Sequence, residues 1–187
     1  FVPTASHIET GDKGWLITDL IKLNSLGFKS IDIVDISALP REKWEPRLRE
    51  ADVFYFEGGN TFHLMEWIRK SGLEEMLPEL LATRVWVGVS AGSMVTGPDL
   101  LLRTSQIVYG EDLNRSEEMQ ALGLVDFYML PHLNSKFFEK VRKECIDEAV
   151  KVTEKTLYAL DDQSAIAIVD GKREVVSEGV WHVWNEK

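Results

Sequence analysis

A chain of 187 residues with 44% hydrophobic and 28% charged residues has enough apolar mass for one domain with a substantial core. Its formal net charge of −10 argues against a nucleic-acid or anionic-membrane surface, and no apolar run comes near the roughly 18 residues of a membrane span. The lone Cys145 cannot close an internal disulfide, which points to a reducing, cytoplasmic setting.

The opening FVPTAS reads as the end of a strand already under way (residues 2–5), so residues upstream of Phe1 are expected. Residues 12–26 have helical spacing (Trp15, Leu16, Leu20, Leu23) and stop at Gly27; residues 29–36 alternate like a strand. A short amphipathic helix (40–51) precedes an apolar strand (52–56). Two helices, 61–70 and 73–82, flank Gly72. An apolar strand at 84–89 runs into a short helix after Ser90. A strand at 126–130 then leads to a long helix over 135–152, with Cys145 on its face. Strands at 157–160, 165–169, 174–176 and 180–184 finish the chain, with a tight turn at Asp170-Gly171. Strands alternating with helices predict an α/β fold: a three-layer, doubly wound, mostly parallel sheet covered by helices on both faces. Without repeats or linkers, residues 1–187 are expected to form a single domain.

Function in such sheets gathers at the carboxyl ends of strands, where the sequence places PTAS (3–6), EGGNT (57–61), SAG (90–92) and Pro131-His132. The most informative of these is Gly88-Val89-Ser90-Ala91-Gly92, a G-x-S-x-G pattern between a strand and a helix. Its glycines leave room for a turn that a Cβ would obstruct. The free N–H groups of the new helix, that of Ala91 first, face the place where an oxyanion would form. Glu57-Gly58-Gly59-Asn60-Thr61 is the obvious source of a second donor, because two glycines after a strand let the backbone approach a ligand.

A serine hydroxyl needs a base within hydrogen-bond reach. Of the four histidines, His7 follows the first strand end and could reach the same face, His63 sits on a helix, and His182 alternates with Val and Trp on a strand. His132 directly follows an apolar strand and a proline, which makes it the best-placed base. For the acid that orients the base, Asp162 is favoured and Asp161 is the runner-up; both close the strand at LYALDDQSA. The α/β-hydrolase order, Ser then acid then His, would need something like Ser90, Asp112 and His182. The order Ser90, His132, Asp162 fits the loops better.

Five pieces in this order, PTAS, FEGGNTF, GVSAGS, LPHLN and LDDQSAI, resemble the peptidase E (α-aspartyl dipeptidase) family of serine peptidases. The resemblance implies a fold like that of class I glutamine amidotransferases, which is flavodoxin-like. It implies Ser90 as nucleophile, His132 as base, and oxyanion donors at Gly59 and Ala91. Asn60 would lie beside the substrate, and Arg142 would match the basic position that holds an aspartyl carboxylate. The family usually carries Glu as the third triad member, whereas the matching position here is Asp162, one methylene shorter.

These readings predict a serine hydrolase that cleaves small peptides, N-terminal Asp-X dipeptides among them, as a monomer or homodimer. No nucleic-acid or membrane partner is expected. Neither is a metal or cofactor, for the sequence has no H-E-x-x-H or Cys/His cluster. The rivals are an esterase or amidase acting on a non-peptide substrate, and a non-catalytic ligand-binding module on the same scaffold.

Overall fold

Val53–Phe56 (β1) and Val85–Gly88 (β2) pair in parallel in the computed structural model, which describes residues 1–112 and 114–186. They lie in the first of two compact units, Phe1–Val95 and Thr96–Lys187. The array continues past β1: the Val2 N–H donates to the Tyr55 carbonyl (2.8 Å), the Glu57 N–H to the Val2 carbonyl (3.1 Å), and the Val34 N–H to the Phe1 carbonyl (2.8 Å). Residues 29–36 alternate as a strand should, yet no ladder forms there among the described residues. Their partner is too short. Pro3 has no N–H to give, and Thr4–Ser6 turn into a 3-10 helix rather than completing a strand.

Helices Gly14–Ser25 (α1), Arg41–Glu50 (α2), Thr61–Lys70 (α3), Leu73–Leu80 (α4) and Ala91–Met94 (α5) complete the unit. Each end agrees with the sequence expectation to within about two residues. On α4, Leu73, Met76, Leu77 and Leu80 recur at i, i+3, i+4 and i+7, and all are buried. Full burial of such side chains contributes about 1.5–3 kcal/mol each. Phe54 and Phe56 of β1 and Phe62, Met65 and Ile68 of α3 are buried in the same unit.

In the second unit, Tyr128–Leu130 (β3) lies parallel to Leu157–Leu160 (β4), and β4 pairs antiparallel with the final strand. Ser164–Val169 (β5) and Lys172–Ser177 (β6) form a hairpin, and Trp181–Trp184 (β7) is that final strand. Asp170 and Gly171, at φ 51° and 73°, make the hairpin turn, with positive φ at both central residues as a two-residue hairpin prefers. Two helical expectations need correction. Leu102–Val108 forms a helix (α6) that the sequence reading passed over; Glu118, sixteen residues on, caps it by accepting the Leu102 N–H at 2.7 Å. The long helix expected over 135–152 is only Lys143–Ala149 (α7), with a 3-10 turn at Val150–Val152. Between Ser135 and Val141 the carbonyls that a helix would use are taken by a loop network described below. The result is a mixed α/β protein with parallel strand pairs flanked by helices. No helix among the described residues is long and apolar enough to cross a membrane.

Candidate active site

The first unit holds Ser90 on a tight elbow between β2 and α5. Ser90 lies at φ 49°, ψ −112°, a conformation that side chains with a Cβ rarely adopt. The surrounding glycines explain how the chain tolerates it. A Cβ on Gly88 would stand 2.2 Å from the Gly92 carbonyl oxygen, and one on Gly92 would stand 2.1 Å from the Phe56 carbonyl oxygen. Either substitution would force strand and helix apart. Trp86 fastens the same turn from the side: its ring stacks on Phe56 (centroids 3.9 Å apart) and its indole N–H donates to the Gly92 carbonyl at 3.0 Å. That brace was missed in the sequence, although an aromatic residue four before the serine was there to be read.

The Gly58-Gly59 loop packs directly on this elbow. A Cβ at Gly58 would lie 3.2 Å from the Ser90 Cβ, and one at Gly59 (φ 130°) would lie 2.3 Å from the Ala5 carbonyl oxygen. Asn60 is buried; its N–H donates to the Ala5 carbonyl (2.9 Å), and its Oδ1 accepts the His63 N–H (2.8 Å) as the cap of α3. Gly58, Gly59, Asn60, Ser90 and Ala91 thus come together.

Glu57 begins this loop and is fully buried. Its Oε1 accepts the Gly58 N–H at 2.8 Å, while Oε2 is buried with no hydrogen-bond partner. Burial pushes its pKa up from 4.5 to about 7; the Gly58 hydrogen bond opposes that rise, the Asp19 charge adds to it, and Lys22 opposes it. Between those values the folded chain holds a proton that the unfolded chain has released, so stability falls as pH rises through this window. The loss should be about 3 kcal/mol between about pH 4 and about pH 8, and Glu57→Gln should abolish that share of it. Urea unfolding of both proteins at the two pH values measures it. Parallel pH dependences would show that Glu57 ionises in the folded state as it does in the unfolded one.

The second unit brings His132 and Asp162 together. The His132 Nδ1–H donates to Asp162 Oδ1 at 2.7 Å. The His132 side chain is 23% exposed and that of Asp162 60%. Asp161, the alternative acid, is committed elsewhere. It accepts from the Gln163 N–H (3.0 Å), the Ser164 hydroxyl (2.6 Å) and the Val180 N–H (2.5 Å), tying β4 to the start of β5 and β7. Burial works against its ionisation, but those three hydrogen bonds outweigh it and hold the carboxyl below its usual range.

His132 itself sits at φ 67° and Asn134 at φ 63°. Phe138 stacks on the imidazole (centroids 4.5 Å, interplanar angle 17°), and Tyr109 meets Phe138 edge-on while donating its hydroxyl to the Pro131 carbonyl at 2.9 Å. The Asn134 N–H donates to the Val141 carbonyl at 2.9 Å. Arg142 Nη1 donates to the carbonyls of Phe138 and Val141, and Nη2 to that of Ser135, all at 3.0 Å. This network replaces the expected first turns of the long helix. Arg142 therefore precedes α7 rather than standing on it, with three of its five N–H donors engaged in the loop.

The chain belongs to Peptidase family S51, whose model matches residues 1–176. It is 29% identical over 176 residues to an uncharacterised peptidase of Listeria monocytogenes, covering 90% of this chain and 80% of that one. It is 34% identical over 109 residues to a peptidase E of Shewanella amazonensis, covering 57% of this chain and 43% of the other. The crystal structure of a candidate peptidase E from Listeria monocytogenes superposes with a TM-score of 0.80 at 28% identity, covering 96% of this chain and 85% of that one. The fold is accordingly that of class I glutamine amidotransferases, and the protein is a serine peptidase.

Proposed function

We propose that this chain is a single-domain cytoplasmic peptidase that cleaves small peptides, N-terminal Asp-X dipeptides in particular, through an acyl-enzyme on Ser90. The strained Ser90 on its glycine-cleared elbow carries the reading, because a turn held at φ 49° serves to present a side chain. Ser90 Oγ attacks the scissile carbonyl carbon while His132 Nε2 takes the hydroxyl proton. Asp162 on Nδ1 orients the ring and stabilises the imidazolium. The N–H groups of Ala91 and Gly59 receive the oxyanion. Collapse of the tetrahedral species breaks the C–N bond, and His132 returns the proton to the leaving amine. Water, deprotonated by the same imidazole, then releases the acid and restores Ser90. Asn60 borders the substrate. Arg142, with two N–H donors beyond its loop contacts, pairs with the aspartyl carboxylate.

A panel of Asp-X, Asn-X and Glu-X dipeptides, run beside p-nitrophenyl esters, tests the substrate class. Asp-X cleavage should exceed Asn-X cleavage by at least about tenfold in kcat/KM, the margin of one charge-assisted contact. Ester turnover with no cleavage of any Asp-X peptide would establish the esterase alternative instead. A Ser90 silent to a fluorophosphonate probe would favour the non-catalytic binding module.

A further inference from the structure

A second imidazole–carboxylate pair lies in the first unit, outside the proposed triad. His7 Nδ1 stands 2.5 Å from Asp35 Oδ2. Asp35 is buried, and its Oδ1 accepts the Thr4 hydroxyl (2.7 Å), the Ser37 N–H (2.9 Å) and the Ser37 hydroxyl (2.8 Å). Burial opposes ionisation of this carboxyl; the hydrogen bonds from Thr4 and Ser37, with the His7 charge, outweigh that cost and hold it below its usual range. The acid is thus a fixed, charged seat. The His7 side chain above it is 47% exposed. With Nδ1 on the carboxylate, Nε2 is the ring nitrogen left to meet a ligand, and the protonated ring donates from it.

Position gives the pair its meaning. His7 ends the 3-10 turn Thr4–Ser6, whose Ala5 carbonyl takes the Asn60 N–H and leaves room only for a glycine at 59. Gly58 in turn touches Ser90. Lys13 adds an ammonium at this rim, which donates to the Ser6 carbonyl at 2.9 Å and to that of Glu9 at 2.8 Å. Burial depresses the basicity of His63; the charges of Glu66, Asp35, Lys70 and His7 also act on it. The standing cation at this rim is therefore Lys13, and His7 contributes its ring N–H when protonated. In a chain of net charge −10, an anionic ligand needs such local donors beside the Gly58-Gly59 loop.

We infer that His7, seated on Asp35 with Lys13 beside it, forms a carboxylate-binding subsite for the peptide substrate. The inference takes its ligand from the peptidase reading above. A dipeptide Asp-X offers two carboxylates, the aspartyl side chain and the C-terminus. Binding to the Ser90→Ala protein separates them without any turnover: Asp-Leu, Asn-Leu and Asp-leucinamide are titrated calorimetrically. Asp-Leu should bind at least about tenfold tighter than whichever analogue lacks the contacted carboxylate. Adding His7→Gln should erase that ratio, and adding Asp35→Asn should reduce it. Loss of the Asn-Leu ratio assigns the side-chain carboxylate to His7 in place of Arg142; loss of the amide ratio assigns the C-terminus and leaves the side chain to Arg142. Ratios unchanged by His7→Gln, equal weakening of all three peptides, or no measurable binding would each overturn the subsite. If the His7 variant fails to fold, Lys13→Met must narrow the same ratio, and an unchanged ratio overturns the subsite. Wild-type protein that neither labels with fluorophosphonate nor cleaves any peptide would sink the peptidase reading alone, since the titrations still decide the subsite.

Discussion

Ser90→Ala should lower peptide hydrolysis by at least about 10⁴-fold and abolish fluorophosphonate labelling, because the proposed acyl-enzyme forms on its hydroxyl. The fold should survive. The side chain is small, and its replacement keeps the Cβ that the elbow already accommodates at φ 49°. That Cβ is also the source of strain, so Ser90→Gly should be equally inactive yet more stable than Ser90→Ala by about 1 kcal/mol or more. Denaturant unfolding of both variants, paired with active-site titration, measures the two effects separately. Residual activity within about tenfold of wild type would remove Ser90 from the nucleophile role, since single-residue losses at serine triads run to several decades.

The elbow was legible because its chemistry is local: strand, glycine, serine, glycine and helix start follow within nine residues, and each glycine answers a contact under 3 Å. Strands β1 and β4 and helix α3 were legible for a similar reason, their apolar patterns being continuous and bounded by turn residues. What could not be read depends on partners distant in sequence. The start of α6 is capped by Glu118, and the stretch after His132 reads as helix until Arg142 and Asn134 claim its backbone groups. Phe138, placed by that loop against the imidazole, has no signature of its own in the sequence. Nor has Asp35, whose partners Thr4 and His7 lie about thirty residues away.

Asp162→Asn should reduce kcat by about 10³-fold with little change in stability, whereas Asp161→Asn should do the reverse. Adjacent carboxylates make this a clean comparison, since the same chemical change falls on two different hydrogen-bond sets. At Asp162 the amide can present an N–H to Nδ1, which favours the tautomer with the proton on Nε2 and denies Ser90 its base. The high exposure of Asp162 leaves little folding energy in the contact. At Asp161 the amide oxygen keeps the Gln163 N–H and the Ser164 hydroxyl that Oδ1 accepted, while its NH2 faces the Val180 N–H that Oδ2 accepted, so that bond is lost together with the charge. A cost of about 1 kcal/mol follows, with kcat within about twofold. Asp162→Glu lengthens this side chain by one methylene. The 2.7 Å contact shows the shorter side chain already in reach, so Asp162→Glu must push the loop outward to keep it and should retain intermediate activity. If instead Asp161→Asn were the inactive protein and Asp162→Asn the active one, the acid would be Asp161, and its three structural hydrogen bonds would have to break for it to reach the base.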